Sequence, residues 1–127
     1  MSFIRNLFGL RSGIRNLFDL RSGRWNGRRK KWLVENDSCI ACGKKSSLHV
    51  HHKIPVHIDE SKELIEDNLC TLCATCHFVF GHLHNWSLFN PLVIEDCENH
   101  LKRVKENQKI VQSLQKNNIK ISELNAS

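Results

Sequence analysis

Two Cys-x-x-Cys pairs, Cys39-Ile-Ala-Cys42 and Cys73-Ala-Thr-Cys76, constrain this chain more than any other feature. A two-residue gap lets both thiolates of a knuckle face one metal ion at about 2.3 Å, and two knuckles complete a tetrahedron. Disulfides or plain buried thiols are the other uses of such cysteines. The chain is rich in Lys and Arg and shows no signal-peptide pattern, so a reducing compartment is expected, where disulfides are disfavoured. Structural zinc on Cys39, Cys42, Cys73 and Cys76 is therefore the expected state. Thirty residues separate the pairs, more than an ordinary zinc finger uses, which leaves room for a hairpin. At 127 residues the chain holds one modest domain plus extensions. A core built round one hairpin is small, so the metal should supply much of the folding energy.

Inside the bracket, Leu48 and Val50 alternate with His49 and His51, the period of a half-buried strand. Pro55 cannot donate to a ladder and should end that strand. Asp67-Asn68 is a turn signal, and Leu69 to Leu72 can return as the second strand. After Cys73 the sequence suits a short helix ended by Gly81. The order strand, loop, strand, helix would gather His51, His52, Asn68 and His77 over the hairpin. His82 lies five residues beyond His77, about 140° round an α-helix, so His82 and His84 make weak ligand candidates. His57, in the acidic excursion between the strands, reads as a surface residue. Cys70 and Cys97 read as buried apolar positions, and Trp86, Phe89 and Pro91 as a packed loop.

This constellation resembles the HNH endonuclease family, whose fold is a ββα-metal finger. The likeness rests on Cys39-x-x-Cys42, the run Leu48 to Pro55, Asp67-Asn68-Leu69, and Leu72 to His77, about 40 of the 127 residues. It implies an α+β fold: a small zinc-stabilised finger with flanking helices and a basic N-terminal arm. It also implies roles. His52 matches the general base and Asn68 the residue that orients it, while His51 and His77 match ligands of a catalytic divalent ion. Many members carry Asp where this chain has His51. The change keeps a ligand and removes a negative charge, which bears on whether Mn²⁺, Ni²⁺, Mg²⁺ or Zn²⁺ is preferred. The run Phe78 to Pro91 also looks like HNH proteins of bacteriophages.

The chemistry of the residues agrees with the likeness. Cutting a phosphodiester needs a base for water and a cation for the charge developing on phosphate. A histidine near its ordinary pKa of about 6.5 can take the proton at neutral pH. One divalent ion can stabilise the phosphate and the departing 3′ oxygen. The expected function is thus a DNA endonuclease leaving 5′-phosphate and 3′-hydroxyl ends. A zinc module that only binds nucleic acid would explain the cysteines and the basic arm equally well. Only the nuclease needs His51, His52, Asn68 and His77 together.

The net charge of +6 is unevenly distributed. Residues 1–31 hold nine Lys/Arg against one acid, and residues 32–127 hold ten against twelve. The expected division is a basic arm over 1–31, the zinc domain over 32–92, and a C-terminal helix and tail over 93–127. The arm opens with a ten-residue repeat, Ile4–Gly13 and Ile14–Gly23, altered only at Gly9 and Asp19. Two short helical turns or a disordered arm would fit it. Arg24, Arg28, Arg29, Lys30 and Lys31 follow, flanking Trp25 and Trp32, and Lys53 lies within the motif. These six cations are the expected contacts to the DNA backbone, with the tryptophans stacking on bases or anchoring the segment. Cys97, Leu101, Val104, Val111 and Leu114 mark an amphipathic helix from Val93, with a polar gap at Gln108. It should pack on the zinc domain, or form a homodimer seam or partner surface. No apolar run is long enough to cross a membrane, and the expected location is the cytoplasm, that of a bacterial host if the chain is phage-encoded.

Overall fold

A computed structural model of the chain describes residues 22–117. The repeat up to Arg21 and the tail from Asn118 lie outside the described residues. The centre is a two-stranded antiparallel sheet, β1 (Leu48–His52) and β2 (Leu69–Cys73). Its register pairs Val50 with Thr71, His51 with Cys70 and His52 with Leu69. Every residue of β2 is buried, which suits its continuous Leu-Cys-Thr-Leu-Cys run. Backbone beyond the hairpin extends the ladder: Ile40 N–H donates to Thr71 C=O (3.0 Å) and Ala74 N–H to Ser47 C=O (2.9 Å).

Because side chains alternate across a strand, the sheet has two working faces. Helix α1 (Trp25–Glu35) covers one of them. Trp25 packs there with Val50 and Leu69, and Trp32, Leu33 and Leu64 fill in around them. Trp32 Nε1 donates to Thr71 Oγ1 (2.9 Å), which in turn donates to the Asn36 carbonyl (2.8 Å). The boundary expected after Lys31 therefore falls inside α1, whose first residue belongs to the core. The two tryptophans are anchors in this fold.

A second core gathers the knuckle cysteines with Ala41, Cys70, Leu72, Val93 and Cys97. Cys70 and Cys97 are buried as expected, and burial pushes both thiols up to about 12. Cys97 and Val93 come from helix α3 (Val93–Lys116), which runs 24 residues and ends at Asn117. Its first turns are seated on the cysteine core, and most of the helix beyond Val104 is exposed. No described helix is long and apolar enough to cross a membrane. The result is the α+β architecture expected: a short antiparallel sheet, flanking helices and a four-cysteine cluster.

Candidate metal centres and nuclease site

The four knuckle sulfurs all lie within 4.8 Å of one another, and none is in a disulfide. A zinc tetrahedron with arms of about 2.3 Å has edges of about 3.8 Å. Cys42 Sγ and Cys73 Sγ stand 3.8 Å apart. Backbone N–H groups point at the sulfurs, from Ala41 to Cys39 (3.4 Å) and from Cys76 to Cys73 (3.5 Å). Burial opposes ionisation of Cys39, but N–H donors from Cys73, Ala41 and Cys42 outweigh it and hold the thiol at about 7. Burial, then the Cys73 and Cys39 sulfurs, pushes the Cys76 thiol up. Four thiols packed this closely without disulfides fit a soft divalent ion, which would take them as thiolates. Gly43, with φ of 82°, closes the first knuckle in a conformation that a side chain resists.

A second cluster lies on the sheet face opposite α1. His51, His77 and His82 each offer a ring nitrogen, and the three lie within 4.8 Å of one another. His51 is only 2 % exposed, and its Nε2 is buried with no hydrogen-bond partner. An imidazole nitrogen is rarely left so, and a bound ion would satisfy it. Burial, then the positive charges that His77, His82 and His52 could carry, drives His51 down to about 3. Burial and the neighbouring histidines drive His77 down to about 4. All this favours neutral imidazole, the form that a metal binds. Second contacts fix the rings, as they do at metal-bound histidines. His82 Nδ1 donates to the Leu88 carbonyl (2.6 Å). His77 and His49 share a hydrogen bond between their Nδ1 atoms (3.0 Å).

His82 corrects the expectation from α-helical spacing. After the single α turn Ala74–Cys76, residues His77–Gly81 wind as a π-helix. The His82 N–H reaches back five residues to the His77 carbonyl (3.1 Å), so the two side chains share a face. Gly81 permits this. A Cβ there would stand 3.0 Å from His51 Cε1 and 3.1 Å from both His51 Nδ1 and His77 Cδ2. The five-residue spacing and the glycine between the histidines were the available signals.

His52 leaves β1 on the α1 side. Trp25 lies against its ring, with centroids 4.4 Å apart. His52 Nε2 donates to the Glu63 carbonyl (2.9 Å). A positive charge on His52 would lower both His51 and His77, so its ring lies near the imidazole cluster. Asn68 is tied to backbone: Oδ1 accepts from Ile54 N–H (2.8 Å), and Nδ2 donates to the carbonyls of Ile54 and Lys62 (3.1 Å each). These bonds fasten the loop that brings Glu63 to His52. Trp25 and Glu63 are the neighbours of His52 that sequence reasoning missed.

The basic residues divide. Arg24, Lys30 and Lys31 are exposed on or before α1, and Arg29 and Lys53 are half-exposed. Arg28 is 18 % exposed and bonded to Glu66 (2.6 Å), tying α1 to the loop before β2.

Residues 39–78 match the family model described as HNH endonuclease. This segment is similar to the HNH endonuclease domain. It contains both knuckles, His51, His52, Asn68 and His77, and it ends four residues short of His82. No curated protein and no solved structure gives a significant match.

Proposed function

We propose that the chain is a DNA endonuclease that hydrolyses phosphodiester bonds with one divalent ion, leaving 5′-phosphate and 3′-hydroxyl ends. The observation that carries this is the cluster of three imidazoles with a buried, unpartnered nitrogen on His51, near His52. The likeness to the HNH endonuclease domain makes nuclease chemistry the natural use of that arrangement. A module that only bound nucleic acid through its basic surface would have no need of it.

His51, His77 and His82 would hold the catalytic ion. That ion supplies charge neutralisation for the phosphate and the leaving 3′ oxygen. His52 holds the other role. His52, with Nε2 held by the Glu63 carbonyl, takes the proton from the attacking water. Trp25 limits the tilt of the ring, and Asn68 holds the loop that carries Glu63. An all-imidazole set leans toward Ni²⁺ or Zn²⁺ and away from Mg²⁺, with Mn²⁺ between them. The four cysteines hold structural zinc. Arg24, Arg29, Lys30, Lys31 and Lys53 contact backbone phosphates, while Arg28 acts through Glu66. A bacteriophage setting rests on the likeness of the Phe78–Pro91 run alone.

The test is cleavage of supercoiled plasmid in a series of Mg²⁺, Mn²⁺, Ni²⁺ and Zn²⁺, with wild type beside His52→Ala. Wild type should cut with at least one ion and His52→Ala should lose most of that activity. If wild type cuts with none, or His52→Ala cuts as well, the binding-module reading replaces this one.

A further inference from the structure

We infer that Trp86 is a stacking platform for an unpaired nucleobase of single-stranded DNA next to the imidazole cluster. The inference rests on the nuclease reading above and adds a substrate preference to it. Trp86 is 59 % exposed, whereas Trp25, Trp32, Phe78, Phe80 and Phe89 are buried or half-buried. Leaving so large an aromatic surface in water forfeits the gain from its burial. Its ring nevertheless lies against three others, His82 at 4.9 Å, Phe78 at 5.0 Å and His77 at 5.2 Å. Two of those rings belong to the imidazole cluster.

The loop that carries Trp86 is fixed before any ligand arrives. Leu83 and His84 have φ of 54° and 64°, a left-handed conformation that non-glycine residues adopt only when their surroundings impose it. His84 N–H bonds the Phe78 carbonyl (3.0 Å), Asn85 N–H that of His82 (3.0 Å), and Leu88 N–H that of Asn85 (2.8 Å). Asn85 Oδ1 caps Ser87 N–H (2.9 Å). The same loop supplies the Leu88 carbonyl that holds His82 Nδ1. One rigid loop thus orders a cluster ligand and presents an open indole beside it. A phosphate drawn to the cluster brings its own nucleoside toward that indole. In a duplex the bases are stacked inside, so a surface ring can take only a base that is unpaired or flipped out. Base–aromatic stacking tolerates any sequence.

The test uses the full chain in a His52→Ala background, which prevents cleavage during binding. Fluorescence anisotropy measures a labelled single-stranded oligonucleotide and the same sequence as a duplex. Adding Trp86→Ala should weaken single-strand binding by about 5- to 150-fold and duplex binding far less, and Trp86→Phe should restore most of the loss. A Ni²⁺ titration of each variant checks the imidazole cluster. Tryptophan emission gives a second readout that needs no alanine variant. Single-stranded DNA should quench the parent, and Trp86→Phe should remove that quenching. Unchanged single-strand affinity in Trp86→Ala, equal losses for both DNA forms, or a parent whose emission is not quenched would each overturn the platform. The two readings can fail separately. A chain with intact His52 that cuts nothing, yet shows this Trp86 dependence, loses the nuclease reading and keeps the platform. A chain that cuts, with Trp86→Ala binding both DNA forms as its parent does, loses the platform alone.

Discussion

The two candidate ligand clusters are built by different means. The four cysteines come as two local knuckles, each complete within four residues and each turning its own N–H groups onto sulfur. Only the meeting of the knuckles needs the fold. The three histidines come from a strand, the start of a π-helix and the residue after its end, and none has a ligand partner within four residues. The first cluster can hold a fold together because its parts are local. The second depends on that fold, on Gly81 and on the winding of one turn, so it can be lost while the domain stands.

The sharpest way to break this contrast is to attack the cysteine side. Cys73→Ser should unfold the zinc domain and abolish the roughly one zinc per chain found by elemental analysis of protein purified without added metal, because binding energy here is folding energy. Circular dichroism and zinc content would be read together. A folded, zinc-free Cys73→Ser protein would sink the structural role. On the histidine side, His52→Ala should keep the fold, the zinc and DNA binding, yet lower cleavage by about 10²–10⁴-fold, the usual worth of a positioned base. Added metal should not rescue it.

His82→Ala should act next in order, through the catalytic ion. It removes one of the three proposed ligands, so the metal concentration needed for cleavage should rise, and high metal should recover part of the rate. Gly81→Ala should produce the same phenotype without removing a ligand, since its Cβ would press on the His51 and His77 rings. Metal titrations of cleavage, with zinc content as the control, check both. Normal metal dependence in both variants would remove His82 from the site. The same titration run against pH has a defined sign. His51 and His77 are lowered to about 3 and about 4 from the ordinary value of 6.5. His51 and His77 therefore stay neutral at pH values between about 4 and 6.5, where an exposed histidine would protonate. Without metal, the same shifts cost stability. The unfolded chain binds protons below about 6.5 that the native chain refuses, so apo stability should fall as pH drops through that window. Thermal melts of the metal-depleted cluster, with the cysteine zinc retained, would show it.

How much of this was legible follows the same division. The knuckles, the two strands of the hairpin and the buried Cys70 and Cys97 follow from spacing and alternation, which are local. His51 and His77 came with the family likeness and with the strand pattern. His82 did not, because α-helical arithmetic turns it away from His77 and only a π turn brings it back. Trp25 was legible as an aromatic in a basic run. Its contact with His52 spans 27 residues of chain and depends on where α1 lands on the sheet. Arg28 looked like any other cation of that run until Glu66 was found opposite it.

The smallest expected effect sharpens the account of how the base is held. Family likeness makes Asn68 the residue that orients His52. The structure gives its side chain three bonds to backbone, to Ile54 N–H, Ile54 C=O and Lys62 C=O, while His52 Nε2 donates to the Glu63 carbonyl in the same loop. Orientation then travels through the loop. Asn68→Ala would unpin it and leave polar groups without partners, costing about 1–3 kcal/mol of stability. The rate should fall by only about tenfold, the lower end for a supporting contact. Asn68→Asp keeps the shape but sets a carboxylate oxygen where Nδ2 now donates to two carbonyls 3.1 Å away. Repulsion there should make it at least as destabilising as alanine, despite its being nearly isosteric. Melting temperature and cleavage rate should therefore drop together in both variants, with metal dependence unchanged. If Asn68→Ala instead matched His52→Ala in rate while melting like wild type, the side chain would act on the base directly and the loop would have no part in it.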